Sequence, residues 1–176
     1  MSYKSKSSIL RRLVVAATLG LAVTSAGCQV QPLYSQQGKV PAELASVGIS
    51  PAGDRVGLEV RNRLIFLMSG GAGEPANPAY ELKLLVNTKS QGVLIDSSSD
   101  TANAGRVIVT GDYTLTRLSD GEVLRAASRK ATALVDYSSQ EFAKIRAGRD
   151  AENRAAKELA EMIRADLLVT LSQQPM

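Results

Sequence analysis

The stretch VIVTGDYTLTRLSDGEVLRAASRKATAL, residues 107–134, decides the fold. Val107, Val109, Tyr113 and Leu115 recur at every second position, the period of a strand with one buried face. Asp120-Gly121 is a favoured two-residue hairpin turn, so the second half folds back on the first. With those two residues as the loop, Ser119 faces Glu122, Leu115 faces Ala126, Val109 faces Thr132 and Val107 faces Leu134. The opposite face then carries Thr114, Thr116, Arg125 and Arg129, with Asp112 across from Arg129. One side is apolar and the other polar, as a half-exposed antiparallel sheet requires.

Upstream, Tyr80, Leu82, Leu84 and Val86 alternate with Glu81, Lys83 and Asn87 and predict another strand. A short apolar run, Val93 to Ile95, continues it or begins the next, and Asp96 to Asn103 is a polar loop. Leu44 to Ile49 is apolar enough for a first strand. Ser50-Pro51 then offers a cap and a proline at the first helical position. Val56, Val60, Leu64 and Leu67 mark one helix face, and Gly70-Gly71 ends the helix. Downstream, Ser138 and Glu141 are spaced as a capping box. Ala151, Ala155, Leu159, Ile163 (with Met162 beside it) and Leu167 form a long helical stripe, with Gly148 separating a short first turn from it. These elements predict an α+β domain over residues 42–173: a mainly antiparallel or mixed four-stranded sheet with two helices packed on one face.

The first residues read differently. Lys4, Lys6, Arg11 and Arg12 precede an apolar run from residue 13 to residue 23, then Ser25-Ala26-Gly27 and Cys28, the chain's one cysteine. This is the order of a secretory signal peptide over residues 1–27. The apolar run is far short of the roughly 20 residues a membrane-spanning helix needs. Gly27-Cys28 resembles the lipobox of bacterial lipoproteins, although Ser25 stands where that class usually has leucine. In that class the cysteine carries a diacylglyceryl group and an amide-linked acyl chain, and lipidation accounts for an unpaired thiol in an exported chain. Residues 28–41, rich in Gln, read as a tether between lipid and domain.

Charge and composition exclude several functions. The formal net charge of +4 comes from the leader, and beyond it 17 basic residues balance 17 acidic ones. Trp is absent and aromatics are few, so a nucleic-acid platform is not indicated. His is absent too, and Cys28 is committed to lipid. That removes Ser–His and Cys–His pairs and the usual zinc ligand sets, and no cofactor motif stands in their place. Glu141, Asp150, Glu152, Glu158 and Glu161 read as a solvated helix face. The run Ser69 to Gly73 follows a helix instead of opening one and lacks the Lys-Ser/Thr ending of a phosphate loop. The sequence gives no support for an enzyme.

With these elements placed, the chain resembles the lipopolysaccharide-assembly lipoprotein family, LptE. The resemblance rests on Cys28 followed by Pro32-Leu33-Tyr34, on Arg55-Val56-Gly57 and Val60-Arg61-Asn62-Arg63-Leu64, and on Tyr80-x-Leu82 and Tyr113-x-Leu115. Phe142-Ala143 and Asp150-Ala151-x-x-Arg154-Ala155 complete it. Gln29-Val30 departs from the Gly-Phe common after the cysteine. The resemblance implies a non-enzymatic outer-membrane protein, lipid-anchored on the periplasmic side. Its partner would be the LptD-like β-barrel translocon, whose lumen it plugs, and it would contact lipopolysaccharide. Gln29 after the cysteine is compatible with outer-membrane sorting. Arg125 and Arg129 are the candidate contacts for lipopolysaccharide or the barrel, because guanidinium groups pair well with phosphate. The alternative is a generic envelope lipoprotein acting as a periplasmic ligand-binding or structural module, with a lipid-anchored hydrolase well behind it.

Overall fold

A computed structural model describes residues 39–96 and 101–174 of the chain. Cys28, the signal region and most of the tether expected over 28–41 lie outside the described residues. The described chain runs α1 (Lys39–Ala45), β1 (Val47–Ile49), α2 (Arg55–Ser69), β2 (Tyr80–Asp96), β3 (Thr101–Arg117), β4 (Val123–Asp136) and α3 (Glu141–Ser172). The sheet order is β1-β2-β3-β4, with β1 parallel to β2 and the other two pairs antiparallel. The fold is therefore α+β with a mixed four-stranded sheet, as expected, but with three helices among the described residues in place of two. The extra one is short, and it takes both the end of the expected tether and Leu44, expected in the first strand. Leu44 is buried on α1, and only Val47–Ile49 remains extended.

The helix starts differ from the sequence reading for local reasons. Asp54, not Ser50, caps α2: its backbone is extended and its carboxylate accepts from the Gly57 N–H at 2.7 Å. Ser50 instead serves the sheet, its Oγ accepting from the Leu84 N–H at 3.0 Å. Gly70 ends α2 in the left-handed region, as expected. At α3 the capping box does not form, because the helix begins at Glu141 and Ser138 Oγ accepts from the nearer Gln140 N–H. Gly148 does not interrupt α3, which is one continuous helix through Ser172.

The hairpin holds the larger correction. Its loop is four residues long: Arg117 and Glu122 close it, and the Gly121 N–H donates to the Arg117 carbonyl with Gly121 at φ 73°. A register shift then follows between Leu115 and Thr116, so that Thr116 faces Val123 and Leu115 faces Arg125. In consequence Tyr113 faces Ala127, Gly111 faces Arg129, Val109 faces Ala131 and Val107 faces Ala133. The other hairpin, β2–β3, is also longer than expected. Ile95 pairs with Ala102 and Asp96 with Thr101, which takes both ends of the expected loop over 96–103 into the ladder.

This register packs small residues under α3. Val107, Val109, Tyr113, Leu115, Ala131, Ala133 and Val135 are buried. They meet the stripe Ala151, Ala155, Leu159, Ile163 and Leu167, each of which has no exposed surface. A Cβ on Gly111 would lie 3.2 Å from a Leu159 methyl and 3.4 Å from an Ile163 methyl, so the helix crosses the sheet closely here. Leu64 and Val60 of α2 complete the core beside Leu82. Arg63–Glu161 at 2.7 Å and Arg55–Glu152 tie α2 to α3 along their exposed rims.

Candidate functional site

Arg125 and Arg129 do not lie on the open face of the sheet. Each faces a buried β3 position across the ladder, Leu115 for Arg125 and Gly111 for Arg129, so both side chains rise on the helix-covered side. The cause is the shift at Leu115/Thr116 together with the longer turn. Arg129 is drawn to α3, where its guanidinium donates to Asp166 Oδ1 at 3.0 Å and pairs with Oδ2 at 2.8 Å. Tyr113 Oη donates to the same carboxylate. The sequence reading missed Asp166. Its only signal was position, one carboxylate three residues after Ile163 and beside Leu167 on the edge of an apolar stripe.

The three groups form one polar cluster at the boundary of sheet and helix. Burial, then the hydrogen bond to Asp166 and that carboxylate's charge, push the Tyr113 hydroxyl up to about 12, against the opposing pull of Arg129 and Arg125. For Asp166, burial works to raise the pKa. The hydrogen bonds from Tyr113 and Arg129 and the charges of Arg129 and Arg125 outweigh it and hold the carboxyl below its usual range. The hydrogen bond and charge of Asp166 in turn raise Arg129. Arg129 is thereby engaged inside the molecule, whereas Arg125 is exposed at the margin of the cluster.

The opposite face of the sheet has no helix packed on it among the described residues. Across β2, β3 and β4 its rows read Glu81–Thr116–Val123, Lys83–Thr114–Ala126, Leu85–Asp112–Ser128, Asn87–Thr110–Lys130, Lys89–Ile108–Thr132 and Gln91–Arg106–Leu134. It mixes both signs of charge with threonines and isolated apolar side chains. Leu85 and Leu134 are 63% and 70% exposed. No group of acidic residues suited to a metal is present among the described residues, and no described helix is long and apolar enough to cross a membrane.

This architecture occurs in solved bacterial lipoproteins. A lipoprotein from Caulobacter crescentus CB15 is 27% identical, with a TM-score of 0.64 over 78% of this chain and 98% of that one. The minor lipoprotein of Acinetobacter baumannii (11% identity, TM-score 0.54, 71% and 90% coverage) shares the fold. So does rare lipoprotein B from Shewanella oneidensis, at 13% identity and a TM-score of 0.51, over 72% of this chain and 94% of that one. No curated protein sequence matches the chain. The family described as LptE, lipopolysaccharide-assembly, matches residues 44–167, from the end of α1 into the last turns of α3. With the whole sheet, α2 and most of α3 inside that match, the chain belongs to the LptE lipopolysaccharide-assembly family.

Proposed function

We propose that this protein is a non-enzymatic outer-membrane lipoprotein, anchored through lipid on Cys28 on the periplasmic side, that helps assemble lipopolysaccharide at the cell surface. It partners and plugs an LptD-like β-barrel translocon. The observation that carries this reading is the family match over residues 44–167, which covers the fold and not one motif. The open sheet face supports it. A polar mosaic with few apolar side chains suits a wet, polar lumen better than a dry interface. Recovery of the chain from detergent-solubilised outer membranes tests the reading. A β-barrel present in fixed ratio to it is the expected result, and recovery without one overturns it. A bound small molecule in place of the barrel selects the ligand-binding module instead.

Arg125 and Arg129 have different parts in this proposal. Arg129 holds α3 on the sheet through Asp166, so its replacement would disturb folding before binding. Arg125, exposed beside it, is the proposed contact for a lipopolysaccharide phosphate. Arg125→Gln, which removes the charge without placing a second carboxylate beside Asp166, should weaken lipopolysaccharide binding at fixed salt with little change in melting temperature, and unchanged affinity removes Arg125 from the proposal.

A further inference from the structure

The two edges of the sheet are treated differently. On β4 two of the outward carbonyls are covered: Arg154 donates to the Leu134 carbonyl at 2.8 Å and Arg129 to that of Ser128 at 3.3 Å. On the other side, β1 is only three residues long and pairs with Tyr80, Glu81 and Leu82. Ser50 extends the cover by two bonds, its N–H to the Leu82 carbonyl and its Oγ to the Leu84 N–H. There the chain turns away to α2. Tyr80, Leu82 and Leu84 thus direct backbone groups toward β1, and by the two-residue period Val86, Thr88 and Ser90 direct theirs the same way. Among the described residues nothing pairs with those three. Asn87, Thr88, Lys89 and Ser90 are all exposed, and the free stretch lasts until the irregularity at Gly92/Leu94.

An open edge of this length is a template for another strand. Residues 86–90 contain no proline and no bulge, and Lys89 is the one charge that guards the stretch. Beside the edge lies a cavity of about 250 Å³, lined by Pro51, Ala52, Leu84 and Val86 and also by the polar Ser50, Asp54 and Arg61. Gly57 lies on its wall, where a Cβ would come within 2.7 Å of the capping Asp54 carboxylate and touch Val86 at 3.6 Å.

We infer that the free edge of β2 from Val86 to Ser90 receives an extended segment of the protein partner as an added strand, continuing the sheet where β1 stops. The segment's backbone bonds to the outward groups of Val86, Thr88 and Ser90. Alternate side chains point to opposite faces, so one enters the cavity beside Val86 and must be small. Its neighbour on the open face lies near Lys89, which takes part in none of the described ion pairs, and a carboxylate there is complementary. The inference rests on the reading that the chain has a barrel partner, and it names the surface on this chain that the partner uses.

Thr88→Pro tests it on the full-length lipidated protein. Proline there removes an outward N–H and no bond of the β2–β3 ladder. Thr132→Pro on the outward edge of β4 is the control. Barrel recovery from solubilised outer membranes should fall about tenfold or more for Thr88→Pro and stay near wild type for Thr132→Pro. Equal recovery with Thr88→Pro overturns the inference while leaving the functional reading intact. If wild-type protein brings down no barrel, both fall. Hydrogen exchange on the wild type does not depend on the variant folding. Protection of the Val86, Thr88 and Ser90 amides in the barrel complex, relative to the free protein, is expected, and unchanged exchange overturns the inference. Protection of the same amides in a dimer of this chain alone also overturns it, because the occupant is then a second copy.

Discussion

The two faces of the sheet are built from the same strands, yet they have opposite energetic roles. On the helix side, Val107, Val109, Tyr113 and Leu115 are at most 3% exposed and lie beneath Leu159 and Ile163. One residue away in each case, Ile108, Thr110, Asp112 and Thr114 lie on the open side. Burial, close helix approach and the Tyr113–Arg129–Asp166 cluster are all on the first face. The comparison teaches that hydrophobicity of a residue does not by itself assign its face. Leu134 is larger and more apolar than Ala133 beside it, but Ala133 is the buried one. What decides is how near α3 must come, and small residues allow the nearest approach.

The largest effect should come from emptying the covered face where that approach is closest. Leu159→Ala removes a side chain with no exposed surface that contacts the Gly111 position. A loss of about 2–5 kcal/mol is expected, read by urea unfolding. Adding Gly111→Ala should return part of it, because the new methyl points toward the vacated space. Strict additivity of the two changes would break the picture of α3 resting on that glycine.

The next test concerns what assigns residues to faces. The four-residue turn and the shift at Leu115/Thr116 together bring Ala127, Ala131, Ala133 and Val135 beneath α3. Gly121 occupies the turn at φ 73° with no atom near its missing Cβ, so the penalty of a side chain there is conformational and not steric crowding. Gly121→Val should cost about 1 kcal/mol or more. An unchanged melting temperature would mean that the turn does not hold the register.

Most of the architecture was legible in the sequence, and the reasons for the rest are physical. The stripe from Ala151 to Leu167 is apolar for several turns, and the alternation from Tyr80 to Val86 is regular, so both predicted their elements. The register of β4 was not legible. Its inward residues are mostly alanines, which suit either face, while Leu134 and Thr132 made a plausible but wrong inward pair. A shift of one position moves every side chain to the other face. Arg125 and Arg129 moved with it, and the tie between Arg129 and Asp166 could not be seen from a sequence separation of 37 residues. The helix caps were misread by shorter steps, because Asp54 and Ser50 are both good caps and only three-dimensional packing commits Ser50 to Leu84.

The polar cluster gives the covered face a pH signature. Tyr113→Phe removes one hydrogen bond to Asp166 and should cost about 1 kcal/mol at neutral pH. The folded pKa of Tyr113 is raised above its unfolded value. Its contribution is therefore fully present below about pH 10 and is lost as pH rises through about 12. Asp166 is depressed, so its contribution is present above about pH 4 and is lost on further acidification. The phenylalanine variant should show a flatter stability profile between about pH 10 and 12 than the wild type. Parallel profiles in that range would place the titration elsewhere.

The smallest effect should come from the open face, and it sharpens the comparison most because the substitution is the same. Leu134→Ala removes the same atoms as Leu159→Ala, but from a side chain that is 70% exposed. Its neighbours across β3 and β2 are Arg106 and Gln91, whose side chains bond to each other at 2.9 Å and not to residue 134. The bond from Arg154 reaches the Leu134 backbone carbonyl, and truncation leaves that carbonyl in place. Little buried area is lost and no cavity is formed, so the change in stability should stay within about 0.5 kcal/mol. Unfolding of the two variants under identical conditions reads the ratio directly. A loss for Leu134→Ala comparable with that for Leu159→Ala would mean that the open face is covered in the isolated protein. The distinction between a face that holds the fold together and a face left for association would then fail.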